Sequence, residues 1–268
     1  MASSRIQLPA NFTTEHEQAV VNYLAGRLHG RQEWQLAFVA FDLLDQAALV
    51  TADSRYTFQA LYSEVVDRQM ADNYIRELLA LDDVEKESPG LWSRYARQIV
   101  AEGQRRGWRQ ADLPGARTLL SYLLYWWGAF ARGYAFEVEI FRDLQQSGIE
   151  FQAHDLLNSQ ARYSPSDLTV SGLAGDIKTS VYFVKVATPL AHDFYIVRLF
   201  VQGRSYTLAV ILQPLAWDEI NGDTVRGTLE TIVAQFPHPV RIEEGVHALV
   251  ALSYTEWKRR ILRLQGES

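Results

Sequence analysis

Residues 164–179 of this 268-residue chain, SPSDLTVSGLAGDIKT, carry the pattern on which our prediction of the fold depends. The letters LTV and GDIKT are typical of two short strands, and the SG between them is typical of a tight turn. Such a hairpin would bring Asp167, just before the first strand, close to Asp176 on the second. Side chains two residues apart on a strand share a face, so Asp176 and Lys178 should point the same way.

Upstream of the hairpin, residues 134–147 are predicted to form a helix that ends at Gly148. One acidic residue of this helix lies on its apolar face. With residues placed about 100° apart, Glu137 lies in the middle of the apolar face. A buried carboxylate is costly unless it has a base, several donors or a metal ion as partner. The alternative is a structural salt bridge, or a helix whose apolar face is only half covered.

Three carboxylates and a lysine at one sheet edge suit metal-assisted hydrolysis. Mg²⁺ takes carboxylate oxygens, polarises a phosphoryl oxygen and lowers the pKa of bound water. A neighbouring lysine can position that water and stabilise the developing charge. The alternative is an exposed Asp–Lys pair worth about 0.2–1 kcal/mol, beside an unrelated turn aspartate.

This ordered set resembles the PD-(D/E)xK nuclease superfamily, which has the restriction-endonuclease-like fold. The resemblance covers about residues 130–215 and consists of the helix with Glu137, then Ser166-Asp167, then Asp176-Ile177-Lys178. In this sequence a serine precedes Asp167, and the proline lies one residue earlier.

The resemblance implies a role for each matched residue. Asp167 and Asp176 would be ligands of Mg²⁺ or Mn²⁺, and the backbone carbonyl of Ile177 would complete the shell. Lys178 would position or activate the water, and Glu137 would be a further ligand or an orienting residue. This chain also departs from the family in one respect. Many members have a helix after the D-x-K strand, whereas residues 179–189 of this sequence are predicted to be strand or loop.

We therefore expect an α/β (α+β) protein with a restriction-endonuclease-like mixed sheet flanked by helices. The expected domains are a helical one over residues 1–129 and a nuclease-like one over 130–268. Helices are predicted from a Thr14 capping box to about Gly30, over 33–50 and 55–80, from Pro89 and Pro114, over 224–236, and after a Thr255 cap. Further strands are predicted over 149–151, 194–201, 206–212 and 247–254.

Several function classes are excluded or disfavoured by composition. The absence of cysteine excludes disulfides, thiolate metal sites and cysteine nucleophiles. The longest apolar run, residues 119–131, is too short for a membrane span and predicts a buried helix. The N-terminus has no apolar signal-peptide run, so we expect a soluble cytoplasmic protein. The six histidines lack zinc-site spacing; His154 and His192 could reach the acidic site, but ordinary polar roles are favoured.

Residues 92–109 interleave aromatic side chains with arginines. One interpretation is a nucleic-acid-binding surface; the other, more typical of such a pattern alone, is an amphipathic helix with a solvated basic face. A second basic cluster, residues 258–260, has the same two interpretations. The nuclease-like pattern is the reason to keep five arginines as candidate nucleic-acid-binding residues: Arg94, Arg97, Arg105, Arg106 and Arg109.

The function expected from these observations is metal-dependent hydrolysis of phosphodiester bonds, favouring DNA and an endonuclease. The net charge of −6 gives no overall attraction to nucleic acid, so binding would be local. A homodimer would place two sites for a double-strand cut. The alternative is a catalytically silent nuclease fold that binds nucleic acid or a protein partner. A helical regulator with an α/β dimerisation module is a third interpretation.

Overall fold

The structure, a computed structural model, has a mixed α/β architecture. It describes residues 5–25, 27–28, 31–50, 54–105, 115–158, 166–179, 192–201, 204–212, 240–244 and 247–266. The chain divides into two compact units, Met1–Ala131 and Arg132–Ser268. The described ranges contain seven helices and two sheets, so the expected α/β class is confirmed.

The first unit combines helices with a small antiparallel sheet. The strands are β1 (Arg5–Gln7), β2 (Ala48–Val50) and β3 (Arg55–Thr57), in the order β1-β2-β3. The helices are α1 (Thr14–Leu24), α2 (Arg31–Leu44), α3 (Phe58–Val65), α4 (Arg68–Ala80), α5 (Val84–Arg105) and the beginning of α6 (Ala116–Gln146). Three short strands therefore accompany the helices that we expected in the first domain, and they were not identified from the sequence.

Two predicted helix starts were wrong. Helix α1 is capped by Thr13, whose hydroxyl accepts from the N–H of His16, and it ends at Leu24. Helix α5 begins before Pro89, because Asp83 accepts from the N–H of Lys86 and so caps the helix earlier. Pro114 lies outside the described residues.

Helix α6 joins the two predicted helices of the central region into one. Most of the apolar run over residues 119–131 is buried, as predicted, although Trp126 is exposed. Gly148 follows the helix with a φ of +72°, a conformation that glycine adopts without strain. No helix within the described ranges is long and apolar enough to cross a membrane.

The second unit is built on a seven-stranded mixed sheet. Its strands are β4 (Gln152–Ala153), β5 (Leu168–Val170), β6 (Leu173–Lys178), β7 (Phe194–Val201), β8 (Arg204–Leu212), β9 (Val240–Glu244) and β10 (His247–Ser253). Their order is β4-β5-β6-β7-β8-β10-β9, and among these pairs β6 and β7 alone are parallel. A last helix, α7 (Tyr254–Gly266), follows the sheet.

Most strand predictions in this unit are confirmed. The strand expected over residues 149–151 is instead the two-residue β4 further on. Helix α7 is capped by Ser253, which accepts from the N–H of Glu256, so Thr255 lies inside the helix. The predicted helix over 224–236 and residues 180–191 lie outside the described residues.

The β5–β6 hairpin has the predicted turn. Ser171 and Gly172 both have positive φ, +51° and +80°, as tight two-residue hairpin turns require. Next to Asp176, Gly175 packs so closely on the ring of Phe194 that a Cβ there would lie 2.1 Å from a ring carbon. This close approach fixes β6 against β7.

The core of the second unit lies between the sheet and two helices. Phe136, Ile140 and Leu144 of α6 and Trp257 and Ile261 of α7 pack in one cluster with apolar side chains of the sheet. Burial of this cluster supplies the main stabilisation of the unit, because each fully buried side chain of this size contributes roughly 1.5–3 kcal/mol. Glu137 therefore lies on a helix held firmly against the sheet.

Candidate metal centre

Three carboxylates and one ammonium group come together at the β5–β6 hairpin. Asp167 and Asp176 share a side-chain hydrogen bond, and Glu137 is close enough to act electrostatically on Asp167. Nζ of Lys178 donates to Asp176 at 2.7 Å. The structure thus brings together Glu137 from α6 and the three charged residues of the hairpin that the sequence singled out.

The backbone around Asp167 explains why its side chain is fixed. Its N–H donates to the carbonyl of Gly175 at 3.1 Å, and its own carbonyl accepts from the N–H of His154 at 3.0 Å. Its Oδ2 accepts from the N–H of Ile177 at 2.7 Å. The aspartate is therefore held by both neighbouring segments of the sheet and has little freedom to turn away.

His154, for which we expected an ordinary polar role, lies between two of the carboxylates. Its Nε2 is 3.0 Å from Oε2 of Glu137, and its Nδ1 is 3.9 Å from Oδ1 of Asp167. The His154 side chain is 4% exposed and that of Glu137 is 12% exposed. Nδ1 of His154 is buried and has no hydrogen-bond partner. His154 therefore reaches the acidic site, one of the two roles that the sequence left open for it.

His192 also lies beside the acidic residues. Its Nδ1 is hydrogen-bonded to the hydroxyl of Tyr195 at 3.1 Å and lies 3.9 Å from Oδ2 of Asp176. Neither histidine could be assigned to the site from the sequence, because neither has a second histidine nearby at the spacing that is typical of metal ligands. The one available signal was position, since His154 precedes Asp167 and His192 precedes the strand that pairs with Asp176.

The cluster does not readily hold all three of its carboxylates in the ionised form. Burial, the hydrogen bond with Asp176 and repulsion by Glu137 and Asp176 together raise the pKa of Asp167 to about 8. The N–H of Ile177 acts in the opposite direction but is the smaller effect. Against three carboxylates the cluster offers one lysine, so a proton or a further cation is needed to balance it.

The donor set fits a divalent cation. One ligand atom each from Glu137, His154 and Asp167 lies within 4.8 Å of the others. Carboxylate oxygens suit Mg²⁺ and Mn²⁺, and an imidazole nitrogen suits transition metals. The unpartnered nitrogen of His154 is the observation that favours an ion here over a self-contained salt bridge.

The candidate nucleic-acid-binding arginines belong to the first unit. Arg94 forms an ion pair with Glu77 and lies over the ring of Tyr95, whereas Arg105 pairs with Glu102 at 2.6 Å. Arg97 is exposed. Tyr95 is buried, as expected for an amphipathic helix with its aromatic side chains in the core. Arg106 and Arg109 lie outside the described residues.

The basic residues of α7 are used within the fold. Lys258 donates to Asp143 at 2.6 Å and to Ser147 at 3.0 Å, which ties α7 to the end of α6. Arg259 and Arg260 both pair with Glu256 of the same helix. This arrangement agrees with a structural role for the cluster.

Comparisons of the chain with protein-family models, with curated proteins and with solved structures found no match. The cluster of Glu137, His154, Asp167, Asp176 and Lys178 is therefore the basis for assigning a function.

Proposed function

We propose that this chain is a metal-dependent nuclease that hydrolyses phosphodiester bonds, most simply those of DNA, as an endonuclease. The observation that carries the proposal is the meeting of Glu137, Asp167 and Asp176 beside Lys178. These residues come from a helix and the two strands of a hairpin, in the chain order of the PD-(D/E)xK superfamily. We further propose that the second unit has the restriction-endonuclease-like fold.

The arrangement of the sheet supports the fold proposal. The hairpin that carries Asp167 and Asp176 is antiparallel, and its second strand continues into the sheet through a parallel pairing with β7. Helix α6, with Glu137, packs its apolar face on this sheet. The acidic site is thus formed where a helix, a hairpin and the central sheet adjoin.

The residues that would hold Mg²⁺ or Mn²⁺ are the carboxylates of Asp167 and Asp176 and the carbonyl of Ile177, with Glu137 as a further ligand or orienting group. When bound, the ion would polarise the phosphoryl oxygen and lower the pKa of a bound water. Asp167 contributes a carboxylate already fixed by the N–H of Ile177. Such fixed ligands lose little freedom when an ion binds.

Lys178 is the residue that we propose acts on the substrate. Its side chain is 37% exposed, whereas that of its partner Asp176 is 10% exposed. The ammonium group can therefore meet solvent and a phosphate while it remains held by a buried carboxylate. In this position it would orient the attacking water by donating a hydrogen bond to it, and would stabilise negative charge on the phosphoryl oxygens.

The test is nicking of supercoiled plasmid in Mg²⁺ or Mn²⁺, with EDTA as the metal-free control. We expect metal-dependent nicking by the wild type and its loss in Asp176→Asn. Asp193→Asn is the matched control, because Asp193 is an exposed carboxylate whose Oδ2 accepts from the N–H of Ala174, a contact that asparagine retains. A protein that binds metal at these aspartates but never nicks nucleic acid would be a silent fold, and the proposal would be wrong.

A further inference from the structure

The unpartnered nitrogen of His154 is the least explained atom of the acidic cluster. We infer that Nδ1 of His154 is a metal ligand, that Glu137 orients this imidazole instead of binding the ion, and that the site accordingly takes a first-row transition-metal dication in preference to Mg²⁺. The inference rests on the metal centre of the proposed function and specifies its ligands.

The hydrogen bond to Glu137 fixes the proton on the His154 ring. An ionised carboxylate can only accept a hydrogen bond, so the 3.0 Å contact with Oε2 of Glu137 requires the proton on Nε2. In the neutral ring, Nδ1 then presents a lone pair. The atom that carries this lone pair is buried and lies near the carboxylate of Asp167.

A lone pair facing a carboxylate is unfavourable unless a cation lies between them. At 3.9 Å, Nδ1 of His154 and Oδ1 of Asp167 are too far apart for a hydrogen bond. Two ligands that each lie about 2.1 Å from one ion can be separated by up to about 4.2 Å. The gap is therefore too wide for a shared proton and within the range for a shared metal ion.

The Glu137–His154 pair has the form of a metal ligand with its orienting partner. Histidines that bind metals generally donate their second ring N–H to a carboxylate or a carbonyl, which fixes the tautomer and makes the ligating nitrogen more basic. Here the partner is a carboxylate on α6, held in place by the apolar neighbours Phe136 and Ile140. This explains why an acid lies on the apolar face of that helix.

The ligand atoms determine which ion is preferred. Mg²⁺ prefers oxygen ligands, whereas imidazole favours first-row transition metals. An ion held by Nδ1 of His154 and the carboxylate of Asp167 would be Mn²⁺ in preference to Mg²⁺, because an imidazole nitrogen is a poorer ligand for Mg²⁺ than an oxygen.

His192 provides a matched control within the same cluster. It is also partly buried and lies at the same 3.9 Å from a carboxylate oxygen, that of Asp176. Its Nδ1, however, is hydrogen-bonded to Tyr195. Replacement of His192 by glutamine should therefore leave the metal ligands in place.

The experiment is pulsed EPR on the full chain loaded with Mn²⁺, with ¹⁵N-labelled histidine, beside a titration of the free-ion signal. We expect nitrogen coupling to the bound ion in the wild type and in His192→Gln. His154→Gln should lose this coupling and bind Mn²⁺ about tenfold or more weakly, with Mg²⁺ binding changed much less. If the His154 variant does not fold, coupling that is present in the wild type and persists in His192→Gln supports the inference, and its absence from the wild type overturns it.

Glu137→Gln separates the two roles of the glutamate. Glutamine still accepts a hydrogen bond from Nε2, so an orienting role predicts a smaller loss of Mn²⁺ affinity than in Asp176→Asn. An equal loss in the two variants would show that Glu137 is a ligand and would overturn that part of the inference.

Two further outcomes separate the inference from the proposed function. Absence of nitrogen coupling in the wild type, or its persistence in His154→Gln, would overturn the ligand assignment even if the protein nicks plasmid. Coupling that depends on His154 in a protein without nuclease activity would uphold the ligand assignment and reject the nuclease.

Discussion

Oδ2 of Asp167 accepts a hydrogen bond from the backbone N–H of Ile177, 2.7 Å away. Ile177 lies between the two charged residues of the adjoining strand β6. This contact orients the aspartate with respect to Asp176 and Lys178 through the backbone itself. It also leaves Oδ1 facing His154. The geometry of the acidic cluster is therefore set by the hairpin pairing and should persist without an ion.

The first prediction concerns the stability of the metal-free protein as a function of pH. The folded-state pKa of Asp167, about 8, lies above the ordinary value of 3.8, because burial and two nearby carboxylates disfavour the charge. Between these values the folded state binds more protons than the unfolded state, so the free energy of unfolding should fall as pH rises towards 8. Asp167→Asn removes this contribution and retains an acceptor for the N–H of Ile177.

Thermal unfolding in EDTA between pH 5 and pH 9 measures the effect. The melting temperature of Asp167→Asn should exceed that of the wild type increasingly with pH, by at least roughly 2–8 °C at the upper end, the change that about 1 kcal/mol produces in domains of about 60–250 residues. Asp155→Asn is the control, because Asp155 is an exposed carboxylate. A difference that stays constant across this pH range would contradict the raised pKa.

The second prediction links metal binding to the same proton. Asp167 must lose its proton before its carboxylate can bind an ion, so metal affinity should rise with pH. The increase in melting temperature caused by a fixed concentration of Mg²⁺ should be larger at pH 8.5 than at pH 6, and EDTA should abolish it. An equal or larger increase at pH 6 would show that Asp167 does not bind the ion.

The third prediction concerns the packing that fixes the hairpin. A Cβ at position 175 would lie 2.1 Å from the ring of Phe194, which is fully buried in the core. Gly175→Ala should therefore lower the free energy of unfolding of the second unit by about 1–3 kcal/mol. The measurement is urea denaturation.

Gly133 is the matched control for this substitution. It lies inside α6, and nothing comes within 4 Å of a Cβ placed there. Gly133→Ala should be neutral or stabilise by about 0.5–1 kcal/mol, because alanine is the better helix former. If Gly175→Ala were as stable as Gly133→Ala, the close approach to Phe194 would not constrain β6.

The hairpin and the misplaced glutamate could be predicted because both signals are local. The SG turn and the alternation of Asp176, Ile177 and Lys178 act over a few residues, and the helical period places Glu137 without reference to the rest of the chain. The same reasoning missed β2 and β3, because these three-residue strands lie at the ends of two stretches, residues 33–50 and 55–80, that were assigned to helices from their helical spacing. It also assigned the cap of α1 to Thr14, where the structure has Thr13.

The place of His154 could not be predicted for a different reason. It follows β4, a strand of two residues whose pairing with β5 depends on contacts distant in sequence. Only that pairing brings its ring between Glu137 and Asp167. The arginines of α5 were easy to notice in the sequence, but their partners were not. Arg94 forms an ion pair with Glu77, and Arg105 forms one with Glu102.

The central claim is that the acidic cluster with Lys178 hydrolyses phosphodiester bonds, and the most direct test is the rate of plasmid nicking in Lys178→Met. Lys86→Met is the matched control, since Lys86 is 83% exposed and forms its ion pair with Asp83, which is not a candidate site residue. We predict metal-dependent nicking by the wild type and Lys86→Met, and a rate at least about 100-fold lower in Lys178→Met. Nicking by Lys178→Met at the wild-type rate, or no metal-dependent nicking by the wild type, would contradict the claim.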